Sequence, residues 1–119
     1  MNTRNAILVY QYSERTKSEL IIAAKLLARM ASLKGEERRG AEKLLMSFLE
    51  ALLGEIRIAK AVKDSSINFR GAEEKIMEAI GKLQLSEHGE INRCFSEALT
   101  YVTTSCQWAM EELEDKHLL

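Results

Sequence analysis

The chain has 119 residues and a formal net charge of −1 at neutral pH; 46% of its residues are hydrophobic and 29% are charged. This length indicates one domain over residues 1–119, and the balance of apolar and charged residues excludes a disordered chain. A net charge near zero argues against broad electrostatic capture of nucleic acid or of an acidic membrane surface, so neither is expected as a partner.

The sequence predicts a cytoplasmic protein. No apolar run approaches the roughly 18–20 residues of a membrane span, and the apolar stretch at the amino end is too short for a signal peptide. Cys94 and Cys106 lack metal-ligand spacing, and on one helix they stand too far apart to bridge each other, which favours buried structural thiols. The absence of proline and the small number of amides beside many charged residues favour a thermophilic source.

In chain order, the first helix is indicated by one face at helical spacing, which carries Val9, Tyr12, Thr16, Leu20 and Leu27. A continuous helix over about residues 5–33 is the preferred interpretation. The alternative starts a new helix at Thr16, because Thr16 and Glu19 match a capping box, and leaves residues 1–12 as a separate arm.

The second helix is apolar almost all round between residues 41 and 53. A helix in a monomeric four-helix bundle needs a single apolar stripe, so this helix is expected to be central or buried between subunits. We therefore expect a homodimer, with a further protein partner left open. The expected interface residues are Leu44, Met46, Leu49 and Leu53.

Two further stripes indicate a third helix around Phe69 to Leu83 and a fourth from Ile91 to Leu113. Ser66 or Asn68 is the expected cap of the third helix. Gly35 is expected to be left-handed just past the end of the first helix. Because the breaks are short, the sequence predicts an all-α fold, an antiparallel up-down-up-down four-helix bundle with short loops.

Paired carboxylates flank the fourth helix, with Glu87 and Glu90 before it and Glu112 and Asp115 at its end. This Glu-x-x-Glu … Glu-x-x-Asp pattern resembles the signature of the MazG-like nucleoside triphosphate pyrophosphohydrolases, an all-α, oligomeric family. The resemblance implies that the four carboxylates hold magnesium against a triphosphate, and that the chain is a hydrolase.

The predicted helix argues against such a site, because about 37 Å of helical rise separates Glu87 from Glu112. Magnesium ligands must converge to about 2.0–2.1 Å from the ion. A second pattern, Glu114-x-x-His117, occurs once, whereas di-iron bundles need two such motifs and two further glutamates. No metal or cofactor is therefore expected. The acidic cluster is interpreted as a solvated helix end near basic residues that the fold brings there: Arg4, Arg15, Lys60, Lys63 and Arg70.

Glu55 is the remaining acidic residue of interest, because it borders the apolar stripe of the second helix. Its carboxylate either stays at the boundary with its head in water or is buried with a partner, and in the second case it is the best candidate for a functional acid.

No catalytic residue is assigned. The function expected from the sequence is that of a non-catalytic interaction or scaffold protein that self-associates. The alternatives are a magnesium-dependent pyrophosphohydrolase and a small all-α subunit of a nucleoprotein complex.

Overall fold

The computed structural model describes residues 1–119 and contains four long helices. Their bounds are α1 Thr3–Met30, α2 Gly35–Lys60, α3 Ser66–Gln84 and α4 Ile91–Asp115, with a short 3₁₀ turn at His88–Glu90. Each helix packs against the next, α1 packs against α4, and no Cα pair within 8 Å joins diagonal helices. The predicted all-α four-helix bundle is confirmed. It measures 54 × 21 × 19 Å, and no helix combines the length and apolar character that crossing a membrane requires.

α1 is continuous from Thr3, as preferred from the sequence. Its true amino-terminal cap is Asn2, whose Oδ1 accepts a hydrogen bond from the Asn5 amide at 2.8 Å. Thr16 is 1% exposed and lies within the helix, so it caps nothing. The small hydroxyl side chains of Ser13 and Thr16 belong to the buried face of α1, which explains why this polar stretch does not interrupt the helix.

The connections between helices are short. Gly35 has a φ of +58°, the left-handed conformation expected of it. The predicted cap of α3 is wrong: Ser65 occupies the cap position, and no side chain caps this helix. Ser65 Oγ instead donates to the carbonyl of Val62 at 3.1 Å, which closes the end of α2.

The core draws apolar side chains from all four helices. Its largest fully buried members include Leu20, Met30, Leu45, Leu49, Leu52, Ile56, Phe69, Ile76, Ile91 and Val102. Burial of each such side chain contributes about 1.5–3 kcal/mol relative to exposure. Because the core is supplied by one stripe per helix, every helix depends on its two neighbours.

Both cysteines are buried, as predicted. Cys106 Sγ donates to Glu14 Oε1 at 3.2 Å. Burial, followed by this hydrogen bond, raises the pKa of the Cys106 thiol to about 11, and burial also raises the pKa of Cys94. The reactive thiolate form is therefore scarce at neutral pH.

α3 and α4 approach closely at Gly71. A Cβ atom built on Gly71 would lie 2.6 Å from Tyr101 Cε1, with two further ring atoms at 2.7 Å. These are atoms of a rigid ring, so they cannot give way as a flexible chain end can. The absence of a side chain at Gly71 is therefore what lets the Tyr101 ring lie across α3.

We predict that Gly71→Ala lowers the free energy of unfolding by about 1–3 kcal/mol, because the overlap with Tyr101 outweighs the better helix propensity of alanine. Gly81→Ala on the same helix is the control: no atom lies within 4 Å of its added Cβ, so it should stabilise by about 0.5–1 kcal/mol. Urea unfolding of both variants checks this, and equal stabilisation by the two would contradict the contact.

Candidate functional site

The carboxylates that match the pyrophosphohydrolase pattern lie at opposite ends of α4. Glu87 and Glu90 precede this helix, whereas Glu112 and Asp115 occupy its last turn. The helical rise places Glu90 and Glu112 about 33 Å apart. No group of three or more His, Cys, Asp or Glu side chains is arranged to hold a metal ion. Within one chain, the two half-patterns do not form the convergent site that the resemblance implies.

Two of these four carboxylates, Glu90 and Glu112, have basic partners close in sequence or space. Glu90 contacts Arg93 and lies 3.9 Å from Lys82. Glu112 accepts from Lys116 at 3.1 Å. Lys116 Nζ also donates a hydrogen bond to Thr3 Oγ1 at 2.7 Å, which joins the end of α4 to the start of α1.

Two basic residues expected beside the acidic end of α4 pair with other carboxylates instead. Arg15 contacts Glu19 and Glu55. Lys60 contacts Glu73 at 2.8 Å. Each basic side chain contacts a carboxylate on the helix packed beside its own, because that carboxylate lies closer than those at the end of α4. The end of α4 is exposed to solvent, as interpreted from the sequence, but Arg15 and Lys60 are not the partners of its carboxylates.

At the opposite end of the bundle, α2 is tied to the α3–α4 connection by a polar cluster that the sequence reasoning missed. His88 Nε2 lies 2.8 Å from Glu42 Oε2, Ser86 Oγ donates to the same oxygen at 3.0 Å, and the Arg38 guanidinium contacts His88 Nδ1. Hydrogen bonds from His88 and Ser86 help to lower the pKa of Glu42, although its partial burial acts in the opposite direction. The only signal in the sequence is a histidine in a loop.

The cluster has the residue types of a catalytic triad but not the connectivity. In a triad the serine donates to one imidazole nitrogen while the carboxylate holds the other. Here a guanidinium, which can only donate, contacts Nδ1, so Nδ1 is the acceptor and Nε2 carries the proton given to Glu42. Ser86 donates to the carboxylate and has no imidazole base. The arrangement serves as a clamp between α2 and the loop.

The largest cavity at this clamp, of about 510 Å³, is lined by Glu42 and Ser86 together with Lys43 and Met46. Two smaller cavities flank the clamp. One, of about 430 Å³, is lined entirely by polar residues and glycine, including Arg39 and Ser86. The other, of about 190 Å³, is walled by the last turns of α1, with Arg38 and His88 at its edge. These cavities are open to solvent, and the four clamp residues at their edges, Arg38, Glu42, Ser86 and His88, already bind one another.

A second polar cluster joins α1 and α2 around Arg15. Its guanidinium contacts Glu19 Oε1 at 3.2 Å and Glu55 Oε1 at 2.5 Å. Glu55 falls between the two alternatives left by the sequence: its side chain is half-buried, and Oε2 is buried without a partner. Burial, then the hydrogen bond to Glu55 and its negative charge, raises the pKa of Glu19 to about 7. The Glu19 carboxyl group is therefore partly protonated near neutral pH.

The predicted interface residues of α2 divide into two groups. Leu49 is 0% exposed and Leu53 is 9% exposed within a single chain, so both belong to its core and not to its surface. Met46 is half-buried against that core, whereas Leu44 is 75% exposed. The apolar stripe inside the bundle is wider than one row because α2 packs against both α1 and α3.

The outward face of α2 is the row of exposed residues opposite its core stripe. Its six members are Gly40, Leu44, Ser47, Ala51, Gly54 and Ile58. None is charged, and Leu44 and Ile58 are 75% and 59% exposed. The exposed charges of α2, such as Lys43, Glu50 and Arg57, lie beside this row and not within it. This row is the candidate functional surface.

Apolar exposure continues from α2 onto α1. The Arg15–Glu55 contact fixes how these antiparallel helices align. Two turns further along, the same faces carry Ile22 on α1 and Phe48 on α2, followed one turn later by Leu26 and Leu44. Ile22 and Leu26 are 46% and 43% exposed. On this side the outward face therefore borders a row of α1 that is apolar at Ile22 and Leu26 and charged further along, at Arg15 and Glu19.

No known family model matches the chain, and no similar protein was found among curated proteins or among solved structures.

We predict that Glu19→Gln stabilises the protein at pH 8 and flattens its stability between pH 5 and 7. The pKa of Glu19 is raised from 4.5 to about 7 on folding, so the folded state binds more protons in this window and stability falls as pH rises. Glutamine keeps a donor for Glu55 without a charge, and should add about 1 kcal/mol at pH 8. Denaturant unfolding of the wild type and the variant at pH 5, 7 and 8 measures both effects.

Glu14→Gln is the control of opposite sign, because hydrogen bonds from Cys106 and Lys17 lower the pKa of Glu14. It should destabilise the protein at pH 8. Equal effects of the two substitutions at pH 8 would contradict the raised pKa of Glu19.

Proposed function

We propose that the chain is a non-catalytic helical-bundle protein that acts by binding protein, and that it self-associates through the outward face of α2. The observation that carries this proposal is the exposure of Leu44, three-quarters of whose surface meets solvent in the middle of a long helix. Ile58, further along the same row, is also more than half exposed.

Leaving this row in water costs free energy that a protein contact would recover. Burial of a leucine or isoleucine side chain contributes about 1.5–3 kcal/mol. Single exposed apolar residues are ordinary on protein surfaces, whereas contiguous exposed patches mark interaction sites. The outward face joins Leu44 and Ile58 through small residues, and Ile22 and Leu26 of α1 extend it.

The polar clusters support binding over catalysis. Glu42, Ser86 and His88 bind one another and Arg38 as a clamp, and the four carboxylates of the pyrophosphohydrolase pattern lie in two groups at opposite ends of α4. No nucleophile lies beside a free base, and no set of carboxylates converges. The outward face of α2 is therefore a better candidate for the functional surface than either polar cluster.

We predict a mass near twice the 13.5 kDa of one chain for the wild type in light scattering at micromolar concentration. Leu44→Lys should shift the protein to the mass of one chain, because two leucines leave the contact per dimer and at least about 3 kcal/mol of association free energy is lost. Leu44 is exposed, so the fold and the unfolding transition of the monomer should persist.

Thr100→Lys introduces the same charge on the exposed side of α4, the helix that makes no contact with α2. This control should leave the dimer intact. A wild type that stays at the mass of one chain at every concentration would overturn the proposal, as would an undiminished dimer in Leu44→Lys.

A further inference from the structure

We infer that the self-contact is antiparallel and two-fold symmetric: Leu44 of each copy packs over Gly54 of the other, Ile58 over Gly40, and Ser47 beside Ala51. The inference rests on the proposed self-association and adds its register. It is carried by the order of large and small residues along the outward face of α2, together with the exposure of its two large members.

The spacing of the outward face is that of a helix pair. Its residues follow one another at steps of four, three, four, three and four. Alternating steps of four and three are those of the a and d positions of a heptad repeat, which keep one seam of a helix against a partner helix. The row from Gly40 to Ile58 spans about 27 Å of helix. It is thus long enough for a continuous helix–helix contact.

The order of residue sizes is self-complementary when one copy is reversed. Leu44 lies as far from the centre of the row as Gly54, on the other side, and Gly40 and Ile58 are related in the same way. Reversal therefore sets each large side chain against a glycine. A parallel pair would set Leu44 against Leu44 and glycine against glycine, which leaves crowded layers beside empty ones.

The space over each glycine is open. A Cβ atom added to Gly40 or to Gly54 would meet no atom within 4 Å. The glycines thus make shallow notches in a surface from which Leu44 and Ile58 protrude. Small residues at the contact allow helix axes to approach to about 8 Å. At that separation a leucine side chain fills the notch of the facing helix.

The same two-fold axis brings the borders of the face together. Phe48 lies next to the centre of the row on the α1 side, so it meets Phe48 of the second copy, with Ile22 of each α1 beside it. On the other side Lys43 and Glu50 form a charged rim, in which Glu50 of the two copies lies nearest the axis and must stay in water.

A second copy is the occupant that this pattern specifies. A two-fold interface uses one patch twice, so its residues must complement their own reversed order. A different partner protein imposes no such relation between Leu44 and Gly54 or between Ile58 and Gly40. The mirror order on α2 is therefore an argument for self-pairing over binding of an unrelated helix.

Disulfide trapping tests the register. Ser47→Cys and Ala51→Cys are prepared separately and as an equimolar co-refolded mixture, then oxidised at low protein concentration. The antiparallel register brings position 47 of one copy beside position 51 of the other, within the Cα separation of about 4.4–6.8 Å that a disulfide bond requires. We expect most of the cross-linked dimer in the mixture, and at least tenfold less in either variant alone.

The outcomes separate the register from the proposed function. Native Cys94 and Cys106 are buried, and Thr100→Cys on α4 gives the background from collisions. Strong cross-linking of either single variant would show a parallel pair and overturn the inference while self-association stands. A dimer by light scattering with no cross-link above background in any sample would also overturn it. A monomer by light scattering would remove the proposed function and the register together.

Discussion

The bundle depends on the burial of four apolar stripes that are connected by only a few residues each. The breaks at 31–34, 61–65 and 85–87 allow each helix only to turn back along the previous one. α1 must then close against α4, because otherwise the inner faces of both would remain in water. Polar contacts are distributed accordingly: they lie at the ends and outer edges of the bundle, where neighbouring helices present side chains of opposite charge.

The return from α2 to α3 illustrates this dependence. Glu73 is nearly buried and accepts from Arg57 Nε and Lys60 Nζ, both at 2.8 Å. These hydrogen bonds, together with the two positive charges, lower the pKa of Glu73, with burial opposing. The ion pairs do not create the turn, since Arg57 is half exposed and surface pairs contribute at most about 1 kcal/mol each. They select among arrangements that the apolar stripes already permit.

The sequence predicted the helices because each is long and strongly periodic. It could not divide the apolar residues of α2 correctly. Leu44 and Leu49 are the same residue type on the same helix, and only the positions of α1 and α3 decide that Leu49 lies in the core and Leu44 in solvent. The buried stripe of a helix that packs between two neighbouring helices is wider than the single row of residues expected from periodicity alone.

The polar clusters could not be predicted from the sequence, for a related reason. Arg38 meets His88 across fifty positions of the chain, and Arg15 meets Glu55 across a helix pair whose register is set by packing. Periodicity identifies the face on which a residue lies, but not which residue of the next helix stands level with it. Where contacts are local, as for Glu112 and Lys116, one turn apart, the sequence contains enough to find them.

The elongated shape has a consequence for how molecular motion is observed. All four helices run along the 54 Å axis, and the N–H bonds of a helix are nearly parallel to its axis. Spinning about the long axis leaves these bonds almost unmoved, so helical amides reorient only through slow end-over-end tumbling. Amides in the short breaks, such as residues 61–65, point in other directions and sense the faster spin. In nuclear relaxation measurements a fully rigid turn of this molecule will therefore resemble a mobile one unless rotational diffusion is treated as anisotropic.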